Sequence, residues 1–216
     1  MYTKCMKVVF VMLIILALGG VAFVAYRFLT PAANFSCASA SKKPVIVAFG
    51  DSLVAGYGAT EQQGFVGPLS VKIGLPIIND GEDGDTTAQG LARLPGVIAQ
   101  KPDIVILLLG GNDALQKVPL ETTKANLQQI ISTLQQNHIQ AVLVGVIGGF
   151  PIDSFASMYQ DLANQYKVKF VPNILSGLIG NTKYMYDEVH PNAAGYDIAT
   201  EKIYPVLNQA CQAIQL

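Results

Sequence analysis

The sequence predicts an α/β protein in which helices cover both faces of a five-stranded parallel sheet, forming a three-layer α/β/α sandwich. Two observations support this fold. From residue 44 onward, five short apolar runs are each followed by turn residues and are mostly separated by stretches with helical periodicity. The runs are continuously apolar, which is typical of strands buried on both faces of a parallel sheet. Such alternation of strands and helices favours a layered α/β architecture.

The predicted strands follow one another along the whole domain. They are Val45–Phe49, Pro76–Asn79, Ile104–Leu109, Ala141–Ile147 and Val168–Val171. Between the third and fourth strands, Pro119 to His138 is predicted to be a helix, because its apolar residues recur at i, i+3, i+4 and i+7 and Pro119 suits the first turn. The last segment has a similar apolar stripe, with a kink or break expected at Pro205.

An apolar segment precedes the domain. Val8–Tyr26 is an uncharged run of 19 residues, which as a helix would rise roughly 28 Å, close to the thickness of the hydrocarbon core of a bilayer. Signal peptides have shorter apolar cores, of about 7–15 residues. The sequence therefore favours an N-terminal hydrophobic helix that acts as a signal anchor over residues 1–29, with a cleaved signal peptide as the alternative. Residues 30–43 are predicted to be a linker, followed by a folded domain over residues 44–216.

Charge and cysteines indicate a compartment. Lys4 and Lys7 precede the apolar run, which favours a domain outside the cytoplasm. We therefore expect an inner-membrane-anchored chain with a periplasmic domain, or a secreted domain if cleavage occurs near Ala40. Cys37 and Cys211 flank the domain and could form a disulfide in an oxidising compartment. Two free thiols are an equally open alternative.

The net charge excludes some functions. The chain has 216 residues and a formal charge of −1. Residues 1–43 carry five basic and no acidic side chains, whereas the remainder carries 9 basic and 15 acidic ones. An acidic domain lacks the basic face that nucleic-acid binding requires. We expect no nucleic-acid partner.

Polar residues follow the predicted strands, at the sheet edge where ligands bind in such folds. The segments are Gly50-Asp51-Ser52-Leu53 after the first strand, an acidic loop containing Gly84 after the second, Gly110-Gly111-Asn112-Asp113 after the third, and Asp187-Glu188-Val189-His190-Pro191 near the end. Together they supply a hydroxyl, an imidazole, a carboxylate, an amide side chain and glycine N–H groups.

These groups suit acyl transfer. A serine hydroxyl needs a base such as imidazole, and the imidazole needs a partner on its second nitrogen. Asp187 precedes His190 by three residues, so one turn could bring its carboxylate to Nδ1 while Nε2 faces Ser52. The oxyanion needs fixed N–H donors, for which the Ser52 amide, the Gly84 amide and the Asn112 side chain are candidates. Read singly, Ser52 could be a helix N-cap and Asn112 a turn residue.

In their order and spacing, these four blocks resemble the GDSL, or SGNH, hydrolase family, over residues 44–216. The resemblance implies a flavodoxin-like sheet with strand order 2-1-3-4-5. It also implies Ser52, His190 and Asp187 as nucleophile, base and orienting acid, with Ser52, Gly84 and Asn112 as the oxyanion hole. The stretch Gly90–Pro95 suggests the bacterial branch of secreted thioesterases, lysophospholipases and arylesterases.

The expected function is therefore that of a serine esterase, which hydrolyses carboxylic esters or thioesters, including lipids, through an acyl-enzyme. It needs no cofactor and no metal, and the chain is expected to be monomeric with membrane contact only through its N-terminal helix. A carbohydrate O-acetyl esterase of the same fold is the alternative. From another class, the turn after the first strand could bind FMN or another phosphate, but this gives His190 and Asn112 no task.

Two features are predicted to be surface structure. The loop from Asp80 to Asp85 holds four carboxylates in six residues, but it lacks the spacing of a calcium-binding EF-hand loop. Arg93 is predicted to be a solvated helix residue with the option of a salt bridge.

Overall fold

The computed structural model describes residues 35, 37, 42–59, 64–148 and 152–214 of the chain. Residues from Phe35 onward form one compact unit. The predicted hydrophobic helix within residues 1–29 and the cleavage motif ending at Ala40 lie outside the described residues. None of the helices in the described ranges is both long and apolar enough to cross a bilayer.

Five parallel strands form one sheet, as the sequence predicts. They are β1 (Ile46–Gly50), β2 (Ile77–Gly81), β3 (Ile104–Leu108), β4 (Gln140–Val144) and β5 (Lys169–Val171). Their spatial order is β2-β1-β3-β4-β5, and every neighbouring pair is parallel. The expected strand order 2-1-3-4-5 is therefore confirmed.

Helices connect these strands. In the described part of the chain they are α1 (Ser52–Ala55), α2 (Val66–Ile73), α3 (Thr87–Ala99), α4 (Gly111–Leu115), α5 (Leu120–Gln136), α6 (Ile152–Tyr166) and α7 (Ala193–Ala213). Pro119 is the N-cap of α5. The break considered at Pro205 does not occur, because α7 continues through it. Ile203 and Leu207 on either side are fully buried, so tertiary packing holds the helix together.

Alternate residues of the central strands build two apolar cores. In β1, Ile46 and Ala48 point into a core shared with α2 and α7. Val47 points the other way, into a core shared with α3, α5 and α6. Full burial of one such side chain contributes about 1.5–3 kcal/mol. Helices therefore cover both faces of the sheet, which confirms the three-layer prediction.

The strand β2 departs from the expectation that all five strands are buried on both faces. Its Ile78 is 42% exposed, and β2 pairs only with β1 because it lies at the edge of the sheet. An edge strand has a neighbour on one side alone. Its apolar run therefore indicates a strand without implying full burial.

A disulfide joins the two ends of the compact unit. Cys37 and Cys211 are bonded, with their Cα atoms 5.3 Å apart, and both are buried. Phe35 is buried beside them, with its ring 6.1 Å from that of Tyr204 on α7. Part of the segment predicted to be a linker thus packs against the C-terminal helix.

The first prediction concerns this disulfide. The bond spans 174 residues, so it removes much chain entropy from the unfolded state. Replacing both Cys37 and Cys211 by Ala should lower the free energy of unfolding by about 2–4 kcal/mol, measured by urea denaturation. A reducing agent should destabilise the wild-type protein and leave the double variant unchanged. Equal effects on both proteins would contradict the prediction.

Candidate active site

The site lies where three strands end side by side. Gly50, the last residue of β1, pairs with Gly81 of β2 and with Leu108 of β3. The loops that follow these strands therefore begin at the same level, at the carboxyl edge of the sheet. This is the location at which parallel α/β sheets bind ligands.

Ser52, His190 and Asp187 form a connected chain of hydrogen bonds. The Ser52 Oγ lies 3.0 Å from His190 Nε2. On the other side of the ring, His190 Nδ1 lies 2.8 Å from Asp187 Oδ2. The structure thus brings together three residues that the sequence places up to 138 positions apart. A hydroxyl, a base and an orienting carboxylate in this order are the arrangement that activates a serine.

Backbone hydrogen bonds hold the histidine segment in place. The Asp187 Oδ1 accepts the N–H groups of Val189 and His190, at 2.9 and 2.8 Å. Burial alone would raise the pKa of Asp187, but these bonds and the contact with His190 hold it below its ordinary value. Asp187 therefore stays ionised, as stabilisation of an imidazolium requires.

Asp51 holds the first turn that carries Ser52. It is the N-cap of α1, and its Oδ1 accepts the Leu53 N–H at 3.0 Å. Asp51 is only 2% exposed. Burial raises its pKa to about 7; the Leu53 hydrogen bond opposes this rise, and Asp85 and Asp113 add to it. Because a carboxyl group already occupies this helix N-terminus, a phosphate group is disfavoured there, which argues against the FMN-binding alternative.

Two of the candidate oxyanion donors, Asn112 and Gly84, are linked through Asp85. The Asn112 Nδ2 donates to the Asp85 carbonyl at 3.0 Å, which uses one N–H of the amide and fixes its direction, leaving the other N–H free for a ligand. Gly84 precedes Asp85 and has φ +84°, a conformation that favours glycine. Asn112 and Ser52 line the same cavity, whereas Gly84 is not among the described residues that line it.

Arg93 anchors the acidic loop: the predicted option of a salt bridge is confirmed, whereas the side chain is only 28% exposed and not freely solvated. Its Nε donates to Asp85 at 2.7 Å, and its Nη1 to Asp80 at 2.5 Å. A third contact joins Nη2 to the Gly50 carbonyl at 3.2 Å. The guanidinium also lies over the Phe49 ring, 5.0 Å from its centroid. Two of the four carboxylates in the loop are thus neutralised, and the end of β1 is tied to the segment that binds Asn112.

Asp113 is a structural residue whose role sequence reasoning missed. It is fully buried. Its carboxylate accepts the N–H and the hydroxyl of Thr87, at 2.8 and 2.5 Å, and the hydroxyl of Thr123 at 3.2 Å. It therefore joins α4, which carries Asn112, to the start of α3 and to α5. Its position directly after Asn112 in the third block was the only available signal.

An apolar cavity opens beside Ser52. Its wall combines Asp51, Ser52, Asn112 and His190 with apolar side chains contributed by α1, α4 and the loops. The apolar residues are Leu53, Ala114, Leu115, Val146, Leu175 and Val189. Within the described ranges, no group of three or more His, Cys, Asp or Glu residues could hold a metal ion. The cavity is suited to an uncharged hydrocarbon chain next to the hydroxyl.

Comparison with known proteins agrees with this geometry. A family model described as GDSL-like lipase/acylhydrolase matches residues 48–198. The esterase TesA of Pseudomonas aeruginosa is 31% identical over 174 residues, which cover 75% of this chain and 87% of the relative. The thioesterase 1/protease 1/lysophospholipase L1 of Escherichia coli is 28% identical over 182 residues, covering 78% and 88%. The crystal structure of TesA matches with a TM-score of 0.74 and 30% identity, covering 77% of this chain and 99% of that one.

The second prediction uses the raised pKa of Asp51. The unfolded chain loses this proton near pH 4, whereas the folded protein retains it up to about pH 7. Because the folded state then binds more protons, ionisation of Asp51 lowers stability as the pH rises through this window. Asp51→Asn cannot ionise and keeps an acceptor for Leu53. Between pH 5 and pH 8, its free energy of unfolding should rise relative to wild type by about 2–3 kcal/mol.

Urea denaturation at both pH values measures this difference. Asp161→Asn is the matched control, because Asp161 is an exposed carboxylate on α6. The control should follow the wild-type pH dependence. If Asp51→Asn does so too, Asp51 is ionised in the folded protein throughout this range.

Proposed function

Because this chain belongs to the GDSL-like lipase/acylhydrolase family and is a serine hydrolase that acts on ester bonds, we propose that Ser52 is its nucleophile, His190 its general base and Asp187 the acid that orients the base. The observation that supports these roles is the unbroken series of contacts, 3.0 Å from Ser52 Oγ to His190 Nε2 and 2.8 Å from His190 Nδ1 to Asp187.

The reaction proceeds through an acyl-enzyme. Ser52 Oγ attacks the carbonyl carbon of a carboxylic ester or thioester while His190 Nε2 accepts its proton. The tetrahedral intermediate collapses when the imidazolium returns this proton to the leaving oxygen or sulfur, which departs as alcohol or thiol. Water then attacks the acyl-Ser52 ester, and His190 again accepts the proton. The second collapse releases the carboxylic acid and restores the Ser52 hydroxyl.

The N–H groups of Ser52, Gly84 and Asn112 are the proposed oxyanion hole. Fixed donors stabilise the negative charge that develops on the carbonyl oxygen, and they do so without reorganising during the reaction. The Asn112 amide is held by the Asp85 carbonyl, and Arg93 holds the Asp85 side chain. This support gives the Asn112 amide a fixed direction before substrate arrives.

We further propose that the domain works as a monomer outside the cytoplasm, anchored through the apolar residues 8–26. The buried Cys37–Cys211 disulfide supports an oxidising compartment. All the proposed catalytic groups come from one chain, so the site needs no second copy. Isolation of the protein from cells with Cys37 and Cys211 as free thiols would contradict the location.

The third prediction tests the nucleophile. Ser52→Ala should abolish labelling by a fluorophosphonate probe and lower kcat for p-nitrophenyl butyrate by a factor on the order of 10⁴ or more. The matched control is Ser132→Ala, because Ser132 lies on α5 and binds the Gln129 carbonyl of its own helix. The control should keep labelling and turnover. Undiminished turnover in Ser52→Ala would falsify the mechanism.

The fourth prediction tests the oxyanion hole. Asn112→Ala should lose roughly 2–4 kcal/mol of transition-state stabilisation, seen as a lower kcat with little change in KM. Asn137→Ala is the control, because the Asn137 side chain binds only within the C-terminal turn of α5 in the described structure. Far-ultraviolet circular dichroism checks that both variants fold. A wild-type kcat/KM in Asn112→Ala would show that Asn112 is a turn residue alone.

A further inference from the structure

Two tyrosines stand exposed beside the candidate base. Tyr57 and Tyr186 are 46% and 63% exposed. The Tyr57 ring lies 4.5 Å from that of His190, centroid to centroid. Tyr186 meets Tyr57 at a centroid distance of 6.0 Å and an interplanar angle of 79°, an edge-to-face contact. Such exposed aromatic surface next to a reactive group points to a ligand.

The backbone bonds that fix the site also hold these two tyrosines. The Tyr57 N–H donates to the Ser52 carbonyl at 3.0 Å, and the Tyr196 hydroxyl donates to the Tyr57 carbonyl at 2.8 Å. On the other side, the Tyr186 N–H donates to the His190 carbonyl at 2.8 Å. The two main-chain positions are therefore tied directly to Ser52 and His190.

Gly58 allows the two segments to approach. Its φ is +86°, and a Cβ at this position would lie 2.9 Å from Tyr186 Cβ and 2.7 Å from the Pro191 carbonyl oxygen. Any side chain there would push the Tyr186 segment away from Tyr57. The pair of rings thus depends on a glycine, which supports a preorganised surface.

The proposed mechanism determines which part of the substrate meets these rings. An acyl chain placed in the apolar cavity beside Ser52 would contact a wall that includes Leu115 and Leu175. The leaving oxygen must come close to His190 Nε2 to receive its proton. Tyr57 packs against this imidazole but is not among the described residues that line the cavity. The alcohol portion, and not the acyl portion, therefore faces the tyrosines.

We propose that Tyr57 and Tyr186 form a leaving-group subsite for uncharged aromatic alcohols. This proposal rests on the serine esterase mechanism above. Two rings that already meet edge to face offer free faces and edges to a third, and such aromatic contacts have preferred geometries. Asp187 and Glu188 follow Tyr186 directly and are exposed, so anionic leaving groups are disfavoured. Ring contacts with the two tyrosines thus favour esters whose leaving group is an uncharged aromatic alcohol.

Two esters with one acyl chain provide the test. Phenyl butyrate and hexafluoroisopropyl butyrate give the same acyl-enzyme and have activated leaving groups, of which only the first is aromatic. Tyr186→Ala is the decisive variant, because the Tyr57 ring packs directly against His190. The ratio of kcat/KM for phenyl over hexafluoroisopropyl ester should fall by about three- to tenfold. Tyr186→Phe should restore the ratio, since the ring and not the hydroxyl makes the contact.

Val71→Ala is the matched control, because Val71 is 84% exposed on α2, and it should leave the ratio at its wild-type value. An unchanged ratio in Tyr186→Ala would overturn the subsite. A ratio that changes only with micellar substrates would also overturn it, because this result would indicate a lipid surface as the ligand. Fluorophosphonate labelling distinguishes a failure of the subsite proposal from a failure of the catalytic mechanism. If the wild-type protein is labelled but its ratio does not depend on Tyr186, only the subsite is disproved. If the wild-type protein is not labelled, the catalytic mechanism itself is disproved.

Discussion

The parallel, in-register pairing of β1 with both β2 and β3 is the constraint on which the site depends. Gly50 lies level with Gly81 and Leu108, so the three strands end level with one another at the same edge of the sheet. Ser52 follows the middle strand, while Gly84 and Asn112 follow its two neighbours. A shift of one strand by one residue would exchange its two faces between the apolar cores. The packing of both cores therefore also fixes the geometry of the candidate site.

Buried carboxylates organise the layer beneath the proposed nucleophile. Asp51 caps the turn that carries Ser52, and Asp113 joins the helix that carries Asn112 to its neighbours. Asp85 supplies the carbonyl that orients Asn112 and an oxygen for Arg93. Burial of an ionised carboxylate is costly without partners. Threonine hydroxyls, main-chain N–H groups and one guanidinium supply these partners. Protonation of Asp51 below about pH 7 reduces its repulsion with Asp85 and Asp113.

Most of the site prediction was based on short local motifs. Each proposed triad residue stands in a short block with its own turn, and the combination of these blocks, joined by the logic of acyl transfer, singled out Ser52 and His190. Arg93 and Tyr57 could not. The partners of Arg93 lie up to 43 positions away, and the aromatic contact between Tyr57 and Tyr186 spans most of the domain. No periodicity or spacing along the chain records such contacts.

The amino-acid sequence by itself determined the strands and the layered α/β class, and it supplied the candidate acyl-transfer groups, because apolar runs and turn residues act over a few neighbouring positions. It left the pairing of Cys37 with Cys211 open and did not show that β2 is half exposed at the sheet edge. Only the tertiary structure decided these points, together with the anchoring of the acidic loop by Arg93 and the raised pKa of Asp51. Burial and electrostatic interactions depend on which segments meet in space, and this meeting is produced by the packing of the whole sheet.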